Sequence, residues 1–282
     1  MFALAVVHAF FDAKGNRVQR FLMLITLFIF GFLLEYMGVS AGNYYYATEA
    51  IMIFEIIPLS VTFAWVGIIY SIMLIGELLE LPSWLRIIFT SLIALSLDWG
   101  MDPIAVDLGA WTWTSEGQYF TIPGFNFIGW FFIPIAYLIP YGITWDRENR
   151  KPQLLTIKQI DSNRSWIRKI YTLIIVVPIA SGILIIVGIV SQVEFLYDMH
   201  LIALIIWAIF SVIFSAGMII LKRRNLKRKE WYDLLPPIIL LVLGINYTFY
   251  GFLTGRLDLG FLMLITGLPI WLIFIFTLVK KK

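Results

Sequence analysis

Asp98 and Asp102 lie four residues apart at the end of an apolar run, in Asp98-Trp-Gly-Met-Asp102-Pro103. Trp111-Thr-Trp113, Gly117-Gln-Tyr119 and Asn126-Phe-Ile-Gly129-Trp130 follow closely. Residues four apart share a helix face, so the spacing predicts two carboxyls side by side. Nowhere else in the chain do acids, an amide and aromatic rings crowd together inside hydrophobic sequence. A carboxyl desolvated without a basic partner is suited to hold a proton and deliver it, which is general acid catalysis. Trp and Tyr rings present their faces favourably to a positive charge. Acid beside aromatic walls therefore suits chemistry that passes through a carbocation.

Several elements are needed to bring these groups together. The chain has 282 residues, of which 61% are hydrophobic and 14% charged. Soluble domains carry about 25% charged residues, so the composition is that of a membrane protein. There is no cysteine and there are two histidines, His8 and His200. Disulfides and thiol catalysis are excluded, and a His-rich metal centre is not expected. The net charge of +3 does not indicate nucleic-acid binding, because the basic residues sit in short loops between apolar runs.

Eight apolar runs approach spanning length: 20–38, 51–75, 84–106, 126–145, 170–190, 199–221, 234–251 and 259–279. Spanning about 30 Å of hydrocarbon takes roughly 20 helical residues, and backbone in lipid has to satisfy its own hydrogen bonds. The prediction is an all-α, polytopic transmembrane bundle, a single integral membrane domain over residues 1–282, with about eight full spans. Residues 1–11 form a further apolar segment too short to span. Pro58, Pro134, Pro140, Pro178 and Pro269 fall inside runs and predict kinks.

Every Lys and Arg except Arg256 lies at or before the start of the first run, at the start of the third, after the fourth or sixth, or in the C-terminal tail. The positive-inside rule then makes these loops and the C-terminus cytoplasmic in a multi-pass protein of the cell membrane. Residues 39–50, 107–125, 191–198 and 252–258 fall on the outer side. With the third helix starting near Trp84, Asp98 lies about 21 Å along it and Asp102 about 27 Å, at about 1.5 Å per residue. Glu35, Glu55, Asp98, Asp102 and Asn126 all belong to the outer half.

Blander roles compete for some of these residues. Asp102, beside Pro103, fits a helix end, and Glu49 fits an exposed loop. Glu55, one turn into the second span, fits either role. Tyr44, Tyr46, Trp111, Trp113, Tyr119 and Trp130 would each, taken singly, fit an interfacial aromatic belt. Asp98 and Glu35 resist such readings, because acids at membrane depth are costly.

Glu35-Tyr-Met-Gly38-Val-Ser-Ala-Gly42-Asn-Tyr44-Tyr-Tyr46, followed by Pro58 and Trp65, resembles the first signature of the carotenoid biosynthesis membrane-protein family. That family includes bisanhydrobacterioruberin hydratases and carotenoid 1,2-hydratases. Asp98, Asp102-Pro103, Trp111-Thr-Trp113, Gly117, Tyr119, Pro123, Asn126 and Gly129-Trp130 are similar to its second signature in order and spacing. The likeness runs from about residue 20 to the C-terminus and is most specific over 35–130. Two features depart from the pattern: Asn-Tyr-Tyr-Tyr after Gly42, where Phe-Gly is expected before the tyrosines, and a shortened leading helix.

The resemblance implies a hydratase, adding water to a terminal carbon–carbon double bond of an acyclic carotenoid without a redox cofactor or metal. It also implies a lipid-bilayer setting beside other membrane enzymes of the pathway. In this reading Asp98 donates the proton, Asp102 or Glu35 takes one from water, and Asn126 orients that water. Trp111, Trp113 and Tyr119 face the cation, and Tyr44, Tyr46, Trp130 and Glu55 complete the substrate site. A carotenoid cyclase would use the same acid. A membrane prenyltransferase would use Asp98-x-x-x-Asp102 to bind Mg²⁺ and diphosphate. A carotenoid-binding or transport protein would use the acids without catalysis.

Overall fold

Of the ten helices among the described residues, α4 (Ser83–Asp107) is the one the others surround. The computed structural model describes residues 1–12, 17–48, 51–149, 161–191, 200–226 and 230–279. Every residue of α4 from Phe89 to Ala105 is buried, as expected of a helix that is hydrophobic all round. Before it come α1 (Phe2–Phe11), α2 (Arg17–Ser40) and α3 (Leu59–Leu78). After it come α5 (Gly124–Asn149), α6 (Asp161–Ser191) and α7 (Leu201–Lys222). The chain closes with α8 (Leu235–Leu253), α9 (Leu257–Thr266) and α10 (Leu268–Val279).

Helix α2 packs on α3, α3 on α4, α4 on α5, α5 on α6, and α6 back on α2. This closed ring holds the site. Helices α7, α8 and α9 cover the other flanks of α4. Side chains such as Ile202, Ile206 and Ile213 of α7 and Ile186 of α6 point outward, as lipid-facing residues do.

Each of the first seven predicted apolar runs contributes one helix. Among the described residues, six stretches are long and apolar enough to span: α2, α3, α4, Gly124–Gly142 of α5, α7, and Trp231–Leu253, which contains α8. Helix α6 supplies a shorter apolar stretch, Ile174–Val190. The predicted last span is broken: α9 and α10 meet at Gly267 with a bend of 54°. Only this one bent pair is found among the described residues, whereas paired broken helices in two halves would mark a transporter of the inverted-repeat kind.

Two boundaries differ from expectation. The second run does not become helical at residue 51. Residues 52–58 fold back as a small hairpin of β2 (Met52–Ile53) and β3 (Ile57–Pro58), and α3 starts at Leu59 with Pro58 as its N-cap. Proline disfavours helical backbone at the preceding residue, so Pro58 sets where the helix begins and introduces no kink. The N-terminal segment is the ten-residue helix α1, packed against α2, α3 and α8 with Ala5 and Ala9 wholly buried.

At the end of the bundle away from Asp102, a buried ion-pair network ties the first helices together. Arg20 donates to Asp12 at 2.8 Å and to both oxygens of Glu77, the closer at 2.6 Å. Arg86 reaches Glu77 at 3.4 Å. Next to it His8 Nδ1 and the Tyr70 hydroxyl are 2.9 Å apart. Removing one partner of a buried pair strands its counter-charge and costs about 3–5 kcal/mol. Arg20→Met should therefore lower the thermal unfolding temperature of the detergent-solubilised protein markedly, whereas Arg256→Met, at a 40% exposed side chain, should leave it nearly unchanged.

Candidate active site

Helix α4 carries both aspartates and runs on beyond Pro103, where it would be expected to stop. Proline lacks an N–H, so the Trp99 carbonyl loses its intrahelical donor. The Tyr119 hydroxyl replaces it, donating to Trp99 O at 2.8 Å. The helix consequently continues to Asp107, and Asp102 is an interior helical residue, not a helix end. Asp98 and Asp102 are both buried. Their Oδ2 atoms accept from one nitrogen, Asn126 Nδ2, at 2.9 and 2.7 Å. The Trp111 indole N–H donates to Asp102 Oδ1 at 2.6 Å. Asp98 Oδ1 is buried without a hydrogen-bond partner among the described residues.

Glu35 reaches the same region from α2. Its Oε2 accepts from the Tyr44 hydroxyl at 2.6 Å and from the Tyr46 hydroxyl, and its Oε1 accepts from the Trp65 indole N–H. A two-stranded antiparallel sheet makes this possible: β1 (Tyr44–Tyr46) pairs with β4 (Trp111–Trp113), Tyr44 opposite Trp113 and Tyr46 opposite Trp111. Side chains alternate along a strand. Tyr44, Tyr46, Trp111 and Trp113 thus share one face over the acids, while Tyr45 and Thr112 are exposed. Cross-strand rings meet edge to face, Tyr44 with Trp113 at 4.9 Å and Tyr46 with Trp111 at 6.0 Å. Burial first, and the Glu35 carboxyl second, hold the Tyr44 and Tyr46 phenols well above the ordinary tyrosine range, so both remain donors.

Both strands leave a helix through a left-handed glycine, Gly42 after α2 and Gly109 after α4, a conformation glycine adopts without strain. Gly38 has a different task. A Cβ there would collide with the Tyr44 ring and hydroxyl, so only glycine lets Tyr44 lie flat on α2 and reach Glu35.

Beneath the sheet is a cavity of about 790 Å³. Among the described residues, Glu35 and Asp102 are its carboxyl groups, and neither Lys, Arg nor His lines it. Tyr44, Tyr46, Trp111, Trp113, Phe125, Asn126 and Trp130 form the aromatic and polar side. The Trp65 and Trp130 rings meet there with centroids 4.3 Å apart, tilted by 34°. Val61, Ile68, Ile133, Leu184 and Leu243 form the apolar side. Tyr36, Ile185 and Ile189 line the cavity and are themselves exposed, so it reaches the apolar flank where α2 and α6 meet. Among the described residues, no group of three His, Cys, Asp or Glu is placed to hold a metal ion.

Of the residues predicted for the site, Glu35, Tyr44, Tyr46, Asp102, Trp111, Trp113, Asn126 and Trp130 converge on this cavity. Three do not. Asp98 is set back behind Asn126 and is not part of the wall. Tyr119 is turned away to mend α4 and packs edge-on against Trp99 and Phe127. Glu55 sits exposed at the tip of the β2–β3 hairpin in left-handed backbone, because Pro58 keeps this segment out of the helix. Glu49 lies outside the described residues. Trp65 was not predicted as a site residue, although it donates to Glu35. Its signal was an indole N–H within the largely apolar second run, where lipid offers a donor no acceptor.

An aromatic sheet pinned to carboxyls from two helices, over a cavity open to the lipid-facing flank, is the setting in which relatives become informative. The family of carotenoid biosynthesis proteins matches residues 1–196. The chain belongs to that family. The match includes α1 and ends before α7, so the likeness begins earlier and stops sooner than the signatures alone suggested. No curated protein and no solved structure matches the chain. As a carotenoid biosynthesis protein with several membrane-spanning helices, it acts in the making of carotenoids within a membrane.

Proposed function

We propose that this carotenoid biosynthesis protein is a cofactor-independent hydratase, adding water to a terminal double bond of an acyclic carotenoid. The supporting observation is that Glu35 and Asp102 line one cavity whose wall, among the described residues, holds aromatic rings and no basic group. Water adds to such an alkene only after a proton has been delivered to its less substituted carbon. Asp102, at the wall, is the proton donor in this reading, and the role first given to Asp98 becomes one of support from behind Asn126. The positive charge forms on the tertiary carbon, faced by Trp111, Trp113, Tyr44 and Tyr46. Water adds there, and its proton passes to Glu35. One alkene and one water give one tertiary alcohol, and transfer of the proton from Glu35 back to Asp102 resets the site.

The positive-inside reading places this end of the bundle at the outer leaflet. The substrate would approach sideways from lipid along α2 and α6, leaving its hydroxylated end near the polar interface. Pigments from a host producing acyclic carotenoids, with and without this gene, test the reading. A mass gain of one water per converted end is expected. A ring-bearing isomer of unchanged mass would point to a cyclase instead. Unchanged pigments would favour binding without catalysis.

A further inference from the structure

Among the described residues, nothing stands where a side chain would at two glycines of the cavity wall, Gly129 on α5 and Gly188 on α6. They differ in this from Gly38, whose missing side chain is filled by Tyr44. Helices α5 and α6 are packed neighbours. Gly129 lies five residues into α5 and Gly188 three residues before the end of α6, and both line the one cavity. Gly129 is one turn beyond Asn126 and beside Trp130, close to the acids. Gly188 is flanked by Ile185 and Ile189, which are 52% and 68% exposed, at the lipid-facing flank. The pair thus links the exterior with the carboxyls, and each glycine removes width from its helix where the cavity needs it.

We propose that Gly129 and Gly188 form the passage by which a flat, linear polyene end reaches Asp102, and that this passage excludes an end closed into a ring. A conjugated chain is thin and lies against bare helix backbone. A six-membered ring with substituents above and below its plane does not. The inference rests on the carotenoid reading of the cavity and adds its selectivity to it.

The test uses the full-length protein in nanodiscs, titrated with lycopene and with β-carotene, isomers that differ in whether their ends are ringed. Quenching of tryptophan fluorescence reads binding, because Trp65, Trp111, Trp113 and Trp130 line the cavity. Wild type should bind lycopene more tightly than β-carotene. Gly129→Val and Gly188→Val should each weaken lycopene binding by at least about tenfold, the scale on which small changes of bulk act in an apolar pocket. Gly182→Val is the control: it lies on α6, has open space at its Cβ and is not part of the wall, so it should bind as wild type. Should the valine variants fail to accumulate, the alanine variants should show the same loss to a smaller degree. Equal binding of the two isomers by wild type, or undiminished lycopene binding by the glycine variants, would overturn the proposal. Hydration is assayed on the same samples. Lycopene bound but not hydrated by wild type would sink the hydratase reading and leave the passage to be decided by the titration.

Discussion

Asp102→Asn is expected to abolish water addition, with a loss of at least about 10²–10⁴-fold, the usual contribution of a general acid. The substitution keeps the shape of the side chain, and one oxygen remains to accept from the Trp111 indole N–H. What disappears is the transferable proton at the cavity wall. Asp98→Asn should cost distinctly less, because Asp98 meets the site only through Asn126 Nδ2 and is not part of the wall. Two buried carboxyls sharing one amide nitrogen form a coupled pair, in which a proton belongs to the pair more than to either residue. Loss of Asp98 should therefore change the pH profile of the reaction more than its maximal rate. Rates measured for both variants, alongside lycopene binding by fluorescence quenching, check the ranking. If Asp98→Asn were inactive and Asp102→Asn nearly wild type, the donor would be Asp98 after all.

The membrane-bundle class was legible in the apolar runs and in the placement of the basic residues, because lipid leaves the backbone few choices. The pairing of Asp98 with Asp102 followed from helical spacing, and their joining with Asn126, Trp111 and the tyrosine loop from their crowding in sequence. What sequence could not show was which face of α4 each polar group serves. Tyr119 looked like one more aromatic over the acids, yet the vacancy that Pro103 makes in the hydrogen bonding of α4 decides its place. Glu55 looked like a membrane-depth acid because residues 51–58 are apolar, yet Pro58 starts α3 beyond it. The β1–β4 pairing was hidden for another reason. Three-residue strands 65 residues apart carry almost no periodic signal, and their register is visible only in space. That register is what brings Tyr44 and Tyr46 onto Glu35 and Trp111 onto Asp102 from the two edges of one small sheet.

Glu35→Gln should remove the base without removing the acid, and the two roles can be told apart by isotope. Glu35 accepts from Tyr44, Tyr46 and Trp65. A glutamine can keep its carbonyl oxygen towards Trp65, whose N–H only donates, and turn its amide N–H groups towards the tyrosine oxygens, which can also accept. The pocket should therefore persist while water loses its proton acceptor, and net hydration should fall by about 10²–10⁴-fold. Protonation of the double bond by Asp102 would continue. In D₂O the cation formed on Glu35→Gln has no efficient capture by water and returns to alkene by losing a proton from the carbon that received the deuteron. Recovered carotenoid should then carry deuterium at that carbon, detected by mass spectrometry. Asp102→Asn, which cannot start the reaction, should return unlabelled substrate. Label from Asp102→Asn but none from Glu35→Gln would reverse the two assignments, because the residue that starts the chemistry is the one whose loss stops exchange.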